Sequence, residues 1–399
     1  MPSDDVADGG LLSPVWAGRP IASATGDAAV LAAIVRFEVA LAVVTAPAGV
    51  ADRIRAAAAD IEPGQLIAGA RQNGNPVIPL LALLRERLDA DDGDWVHRGA
   101  TSQDALDTAL VLIAKDAVRL IVDDATAAAA RLAELAEAHR GTVMVGRTLT
   151  QHSTPITLGL KLAGWAYSVA HAVAAVRDSS AALPVQLGGA SGTLASFVAA
   201  NGQGAGMSIA DGLAAELGLV VPPAPWHVHR APLTRLADSI VELCDAFGTI
   251  GGNVALLART EIGELDDGAG GGSSAMPHKS NPVLAVLVNA AARQVPLLAA
   301  QLHLDASTVD ERPDGAWHAE WQPLRALLRT AGGAAATTRE LVDGLRIHEG
   351  AIAEHVAASA GDLVSESAGY SQVTDPADYL GEADLLTTRL LAAARGALA

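Results

Sequence analysis

The stretch "PLTRLADSIVELCDAFGTIGGNVALL", residues 232–257, places its apolar side chains at Leu233, Leu236, Ile240, Leu243, Phe247, Ile250, Val254 and Leu257. The spacing alternates strictly between three and four, the 3.5-residue repeat of a helix that lies along a partner. Pro232 stands where a first helical turn tolerates proline, because the N–H it lacks would have had no acceptor. At 1.5 Å per residue this helix is about 40 Å long. Leu106, Leu110, Ile113, Ala117 and Leu120 repeat the pattern in a helix expected from about Ala105. Further helices are predicted over about 155–181, 203–217, 282–304 and 320–345, each entered at a proline, glycine or polar cap. Alternating strand patterns are scarce. Long helices with one apolar stripe each bury those stripes best against one another, so the expected fold is all-α, an elongated bundle, with a homo-oligomer covering what one chain leaves open.

Composition excludes several classes. The chain has 399 residues and a formal net charge of −18, from 27 basic and 45 acidic side chains. No run of Lys and Arg could follow a phosphate backbone, so no nucleic acid partner is expected. Cys244 is the single cysteine. It allows no internal disulfide and no zinc site built from several cysteines, which fits a reducing compartment; a cytoplasmic protein without a metal is expected. The opening "MPSDDVADGG" lacks the basic and apolar parts of a secretory signal. The longest uncharged apolar run, "PVLAVLVNAAA", falls short of the ~20 residues that span a bilayer, so no membrane partner is expected. An anionic substrate must therefore meet a local cluster of Arg, Lys, His and helix N-termini.

Three polar islands interrupt the apolar scaffold at expected helix ends. In "WVHRGATSQDALDTA" (95–109), Ser102 or Asp104 is a natural cap, while His97, Thr101 and Gln103 crowd the same turn. In "GRTLTQHSTPITLG" (146–159), Ser-Thr-Pro reads as a cap followed by proline, beside Thr148, Gln151 and His152. For His152, His227 and His229 a structural or surface role is at least as well founded as a functional one. In "GGGSSAMPHKSNP" (270–282), Asn281 is the expected N-cap and Pro282 the expected first helical residue. Free N–H groups there, with Lys279 and His278, suit an anion or a developing negative charge. The glycines at 268 and 270–272 give this loop the freedom of a lid.

"GGSSAMPHKSNP" resembles the signature loop of the fumarase and aspartase superfamily, usually written G-S-S-x-M-P-x-K-x-N-P, and the other two islands resemble that superfamily's substrate regions in the same chain order. Ser280 departs from a commonly basic place. The resemblance implies a helical N-terminal domain over 1–104, a central long-helix bundle over 105–346 and a short helical C-terminal domain over 347–399. It also implies a tetramer whose active sites each take residues from three subunits. After Glu349 only 50 residues remain, so the C-terminal domain is expected to be shortened.

Within the superfamily, "NGNPVIPLLALL" (73–84), "HRGATSQDALDTAL" (97–110), "PWHVHR" (225–230) and "WHAEWQPL" (317–324) look most like the 3-carboxy-cis,cis-muconate cycloisomerases. Leu149 stands where fumarase-like lyases carry a general-acid histidine inside G-R-T-H. The resemblance implies an intramolecular lyase that closes or opens a lactone on a small tricarboxylate, by proton transfer next to a carboxylate, without a cofactor. Ser273 is then the expected base, activated by Lys279. Thr101, Ser102, Gln103, Thr148 and Gln151 are expected to hold substrate carboxylates. Ser274, Met276 and Asn281 belong to the substrate-binding loop, and His97 and Arg312 join Lys279 in supplying positive charge. A fumarate-releasing lyase of the adenylosuccinate or argininosuccinate type and a non-catalytic helical oligomer stand as alternatives.

Overall fold

Thr101, not Ser102 or Asp104, caps the helix that organises the molecule. It closes a capping box in which its own N–H donates to Asp104 Oδ2 at 3.0 Å. The structure, a computed structural model that describes residues 9–272, Met276 and 279–399, holds sixteen α-helices and two small two-stranded sheets among those residues. It is all-α with an elongated bundle at its centre. The elements that position the site are α1 (Asp27–Thr45), α2 (Ser102–Ala138), β1 (Val143–Thr148), β2 (Gln151–Thr157), α3 (Leu158–Ala181), α4 (Ala231–Leu257), β3 (Leu265–Asp266), α5 (Val283–Asp305), α6 (Ala316–Asp343) and β4 (Arg346–Ile347).

The five long helices α2 to α6 form a closed ring of neighbours: α2 packs on α3, α3 on α4, α4 on α5, α5 on α6 and α6 back on α2. All eight apolar side chains of the α4 repeat are buried, none more than 2% exposed. Burying them at roughly 25 cal/mol per Å² is what holds the helix, since propensity alone leaves an isolated helix marginal. Cys244 sits in this core, where burial pushes its thiol up to about 12 and leaves it unreactive. The N-terminal helix α1 lies on α2, and a C-terminal helix, Ala383–Leu398, lies along α3.

A second expectation is corrected. The Ser153-Thr154-Pro155 segment is not a helix start: it lies in β2, where Pro155 faces Val145, and α3 begins at Leu158 with Thr157 Oγ1 capping Leu160 N at 3.1 Å. A two-stranded ribbon has no central strand, so the proline's missing N–H costs little. Among the described residues three helices, α1, α4 and α5, are long and apolar enough by length and composition alone to cross a bilayer. In α4 the apolar residues form a stripe buried against its neighbours, whereas α5 leaves Val283, Val286, Leu297 and Leu304 exposed.

Candidate active site

The expected site residues gather at the two opposite ends of the bundle. α2 starts at one end and, with 37 residues, reaches the β1–β2 ribbon about 55 Å away. α4 starts beside the first turns of α2, where Arg230 meets Asp107, and ends near the ribbon, where Glu264 pairs with Arg147.

At the first end, Arg312 is held by three acceptors: Thr101 Oγ1 at 2.9 Å, the Ala190 carbonyl at 3.0 Å and Gln103 Oε1 at 3.3 Å. Gln103 is fully buried, and its amide nitrogen donates to the His227 carbonyl at 2.9 Å and Asp107 Oδ2 at 3.3 Å. Both of its polar atoms are therefore committed to protein, and its contribution is to orient the guanidinium. Ser102 stands beside them, half-buried. His97 joins them four residues before Thr101, its Nδ1 2.7 Å from the Glu38 carboxylate. Burial opposes the charged imidazole, but the Glu38 charge and hydrogen bond override this and hold the His97 pKa above its usual value.

Two buried carboxylates that motif reading did not single out as site residues frame this end. Asp104 accepts from Gly188 N and Gly189 N at 2.9 Å each, besides the cap, and lies 2.7 Å from His227 Nε2. Asp107 accepts from Arg230, from Trp317 Nε1 at 2.8 Å and from Gln186 Nε2 at 3.2 Å. Arg230 in turn holds Glu320. Burial pushes the Glu320 carboxyl up to about 7 against the pull of Arg230, and the second carboxylate, Asp107, adds to that rise. The available signal was the i, i+3 pair of acids inside an apolar helix, Asp104 and Asp107, which a buried helix face carries only when partnered.

At the other end, Thr148 faces Gln151 across a two-residue turn, and both are exposed. The turn residues Leu149 and Thr150 have φ of +49° and +71°. Positive φ at both positions suits the strand twist but normally calls for Asn or Gly, so this tip stores backbone strain. Leu149 is 96% exposed. The ribbon is tied down by Arg147, which makes two hydrogen bonds of 2.9 and 2.6 Å to the buried Glu264, itself 2.8 Å from His355.

The loop lies at the same end. Ser273 and Ser274 lie outside the described residues. Lys279 and Met276 are exposed. Asn281 exchanges backbone hydrogen bonds with Gly271, at 2.9 and 3.1 Å, and so closes the neck of the loop. The expected cap at Asn281 is corrected. α5 starts at Val283, and Asp267 Oδ2 accepts from Leu284 N at 2.8 Å. A carboxylate of the chain thus already occupies part of the helix N-terminus that was expected to receive an anion.

Below the neck, Gly268 has φ +68°, and a Cβ there would meet the Gly344 carbonyl oxygen at 2.1 Å. Gly268→Ala is expected to cost on the order of 1–3 kcal/mol, from the left-handed backbone and the forced shift together. A melting temperature equal to that of the parent would refute this.

An all-helical bundle with the signature loop at one end and a capped Thr-Ser turn at the other defines a lyase of the fumarase and aspartase type. A family profile described as "Lyase" matches residues 21–297, and the chain belongs to this family. It is 45% identical over 378 residues to a nitrosuccinate lyase of Streptomyces davaonensis, covering 90% of this chain and 80% of that one. It is 36% identical over 377 residues to a 3-carboxy-cis,cis-muconate cycloisomerase of Pseudomonas aeruginosa, covering 91% and 81%. The crystal structure of the 3-carboxy-cis,cis-muconate lactonizing enzyme from Pseudomonas putida superposes with a TM-score of 0.86 at 30% identity, covering 98% of this chain and 100% of that one.

Proposed function

We propose that this enzyme removes the proton next to a carboxylate of a 2-substituted succinate and expels the substituent from the neighbouring carbon as a stable anion, with nitrosuccinate as substrate. The C–H electron pair becomes the new C=C bond, the proton passes to the ionised Ser273 oxygen, which becomes a hydroxyl, and the C–N pair leaves on nitrite, giving fumarate. The observation that carries this reading is 45% identity to a nitrosuccinate lyase across 90% of the chain. The ribbon tip supports it. Where fumarase-like lyases place an acidic histidine, this chain exposes Leu149, which has no proton to give. An amine leaving group needs that proton, whereas nitrite departs without one.

As the proton leaves, charge builds on the neighbouring carboxylate as it takes on enediolate character, and stabilising it is the main catalytic task. In this reading Thr101, Ser102 and Arg312 receive one carboxylate, Thr148 and Gln151 the other, and the positive charge of Lys279 stabilises the ionised form of Ser273. These groups stand about a bundle length apart within one chain. The exposed apolar face of α5 supports a tetramer in which ends from three copies meet at each site. The division at residues 104 and 346 is proposed with it, as is a cytoplasmic setting.

Lactone closure of 3-carboxy-cis,cis-muconate is the second reading. Its favouring observations are the 36% identity to the cycloisomerase and the fact that a carboxylate oxygen, like nitrite, leaves without a proton. Assays on nitrosuccinate, 3-carboxy-cis,cis-muconate, argininosuccinate and adenylosuccinate separate the readings. Nitrite and fumarate are expected from the first substrate and no fumarate from the last two. Lactone formation without nitrite release would move the assignment to the second reading, and silence on all four would favour a non-catalytic oligomer.

A further inference from the structure

His97 has φ of +60°, a backbone region a non-glycine residue enters only where its surroundings hold it. The hold comes from α1. Glu38 is wholly buried, and its Oε1 lies 2.7 Å from His97 Nδ1. Its second oxygen, Oε2, is buried without a hydrogen-bond partner among the described residues. A carboxylate so placed is costly unless a charge compensates it. The compensating charge is the imidazole, whose side chain is only 9% exposed and whose Nε2 makes no hydrogen bond among the described residues. The other charged groups that act on the ring are Asp104 of α2 and Arg85 of the helix Val77–Arg87. Arg85 Nη2 is bonded to the Val96 carbonyl at 2.9 Å and so secures the turn that carries the histidine.

We propose that Glu38 is a positioning residue of the substrate site: it keeps the His97 ring doubly protonated and turned so that its Nε2–H is offered to a substrate carboxylate beside Thr101 and Arg312. This rests on the reading of the substrate as a succinate-type acid. It also couples binding to pH. Because the folded His97 pKa is raised, the pair stabilises the fold fully below the ordinary histidine value of about 6.5. That contribution is lost as pH rises through the raised value, and the charged donor is lost in the same window.

The test uses the intact oligomer, succinate as a non-reacting probe in calorimetry, and imidazole ¹⁵N titration of wild type, Glu38→Gln and His97→Gln. In the wild type, succinate affinity is expected to fall as His97 deprotonates. In Glu38→Gln the His97 titration and the fall in affinity should both move to lower pH. At neutral pH the variant should bind roughly tenfold more weakly, the scale of a lost charged hydrogen bond. His97→Gln should bind weakly without this pH dependence. With nitrosuccinate, Glu38→Gln should raise KM by a similar factor and leave kcat nearly unchanged, a split that general misfolding does not produce. A His97 titration that moves while the succinate profile stays fixed would overturn the proposal, as would a titration that does not move or a wild type that binds no succinate. Succinate binding that follows His97, without elimination from any substrate, would instead sink the reaction assigned above and leave the Glu38 role standing.

Discussion

Replacing Ser273 by alanine is expected to cut turnover by about two to four orders of magnitude, the usual scale for losing a group that moves a proton in the transition state. A serine hydroxyl is a poor base until it ionises, so its contribution depends on a neighbouring cation and on exclusion of water. Backbone hydrogen bonds between Gly271 and Asn281 close the neck of the loop, and Lys279 lies two residues from that neck in the sequence. The variant's oligomeric state and melting temperature should match the parent, so that a loss of turnover reads as a loss of proton transfer. Full activity in Ser273→Ala would remove this residue from the mechanism.

Arg230→Ala should produce the largest loss of stability, about 3–5 kcal/mol, because it strands Asp107 and Glu320 in the core with no cation between them. Arg230 is 2% exposed, so water does not replace it. Chemical denaturation with two-state fitting, or assembly-linked melting if the subunits do not separate first, measures the effect. The same cluster carries a pH signature. With the folded Glu320 carboxyl raised to about 7, the native state binds a proton that the unfolded chain has already released. Stability should therefore fall as pH rises from about 4.5 through 7, and Glu320→Gln should flatten that slope. A loss under about 1 kcal/mol in Arg230→Ala would show that the two carboxylates neutralise each other by sharing a proton instead.

Legibility varied with the range of the interaction. The α4 repeat was readable because each buried side chain follows from its neighbours three and four positions away, and the structure buries all eight. The β1–β2 ribbon was not. Its turn is Leu149-Thr150 where a reader looks for Asn-Gly, and its proline imitates a helix start. Caps shifted for a similar reason: α5 takes its first acceptor from Asp267, 17 residues before Leu284, which no local rule names.

By itself the sequence determined the helical class, the bundle and the loop that marks the superfamily, since all three are written in short-range spacing or in a contiguous motif. Only the tertiary structure decided that Glu38 faces His97 across 59 residues, that Arg230 bridges Asp107 and Glu320, and that Arg312 rests on Thr101 from 211 residues away. Those pairings depend on how helices lie against one another. A buried charge leaves no mark in local periodicity, because its partner can come from any element that packing brings within about 3 Å.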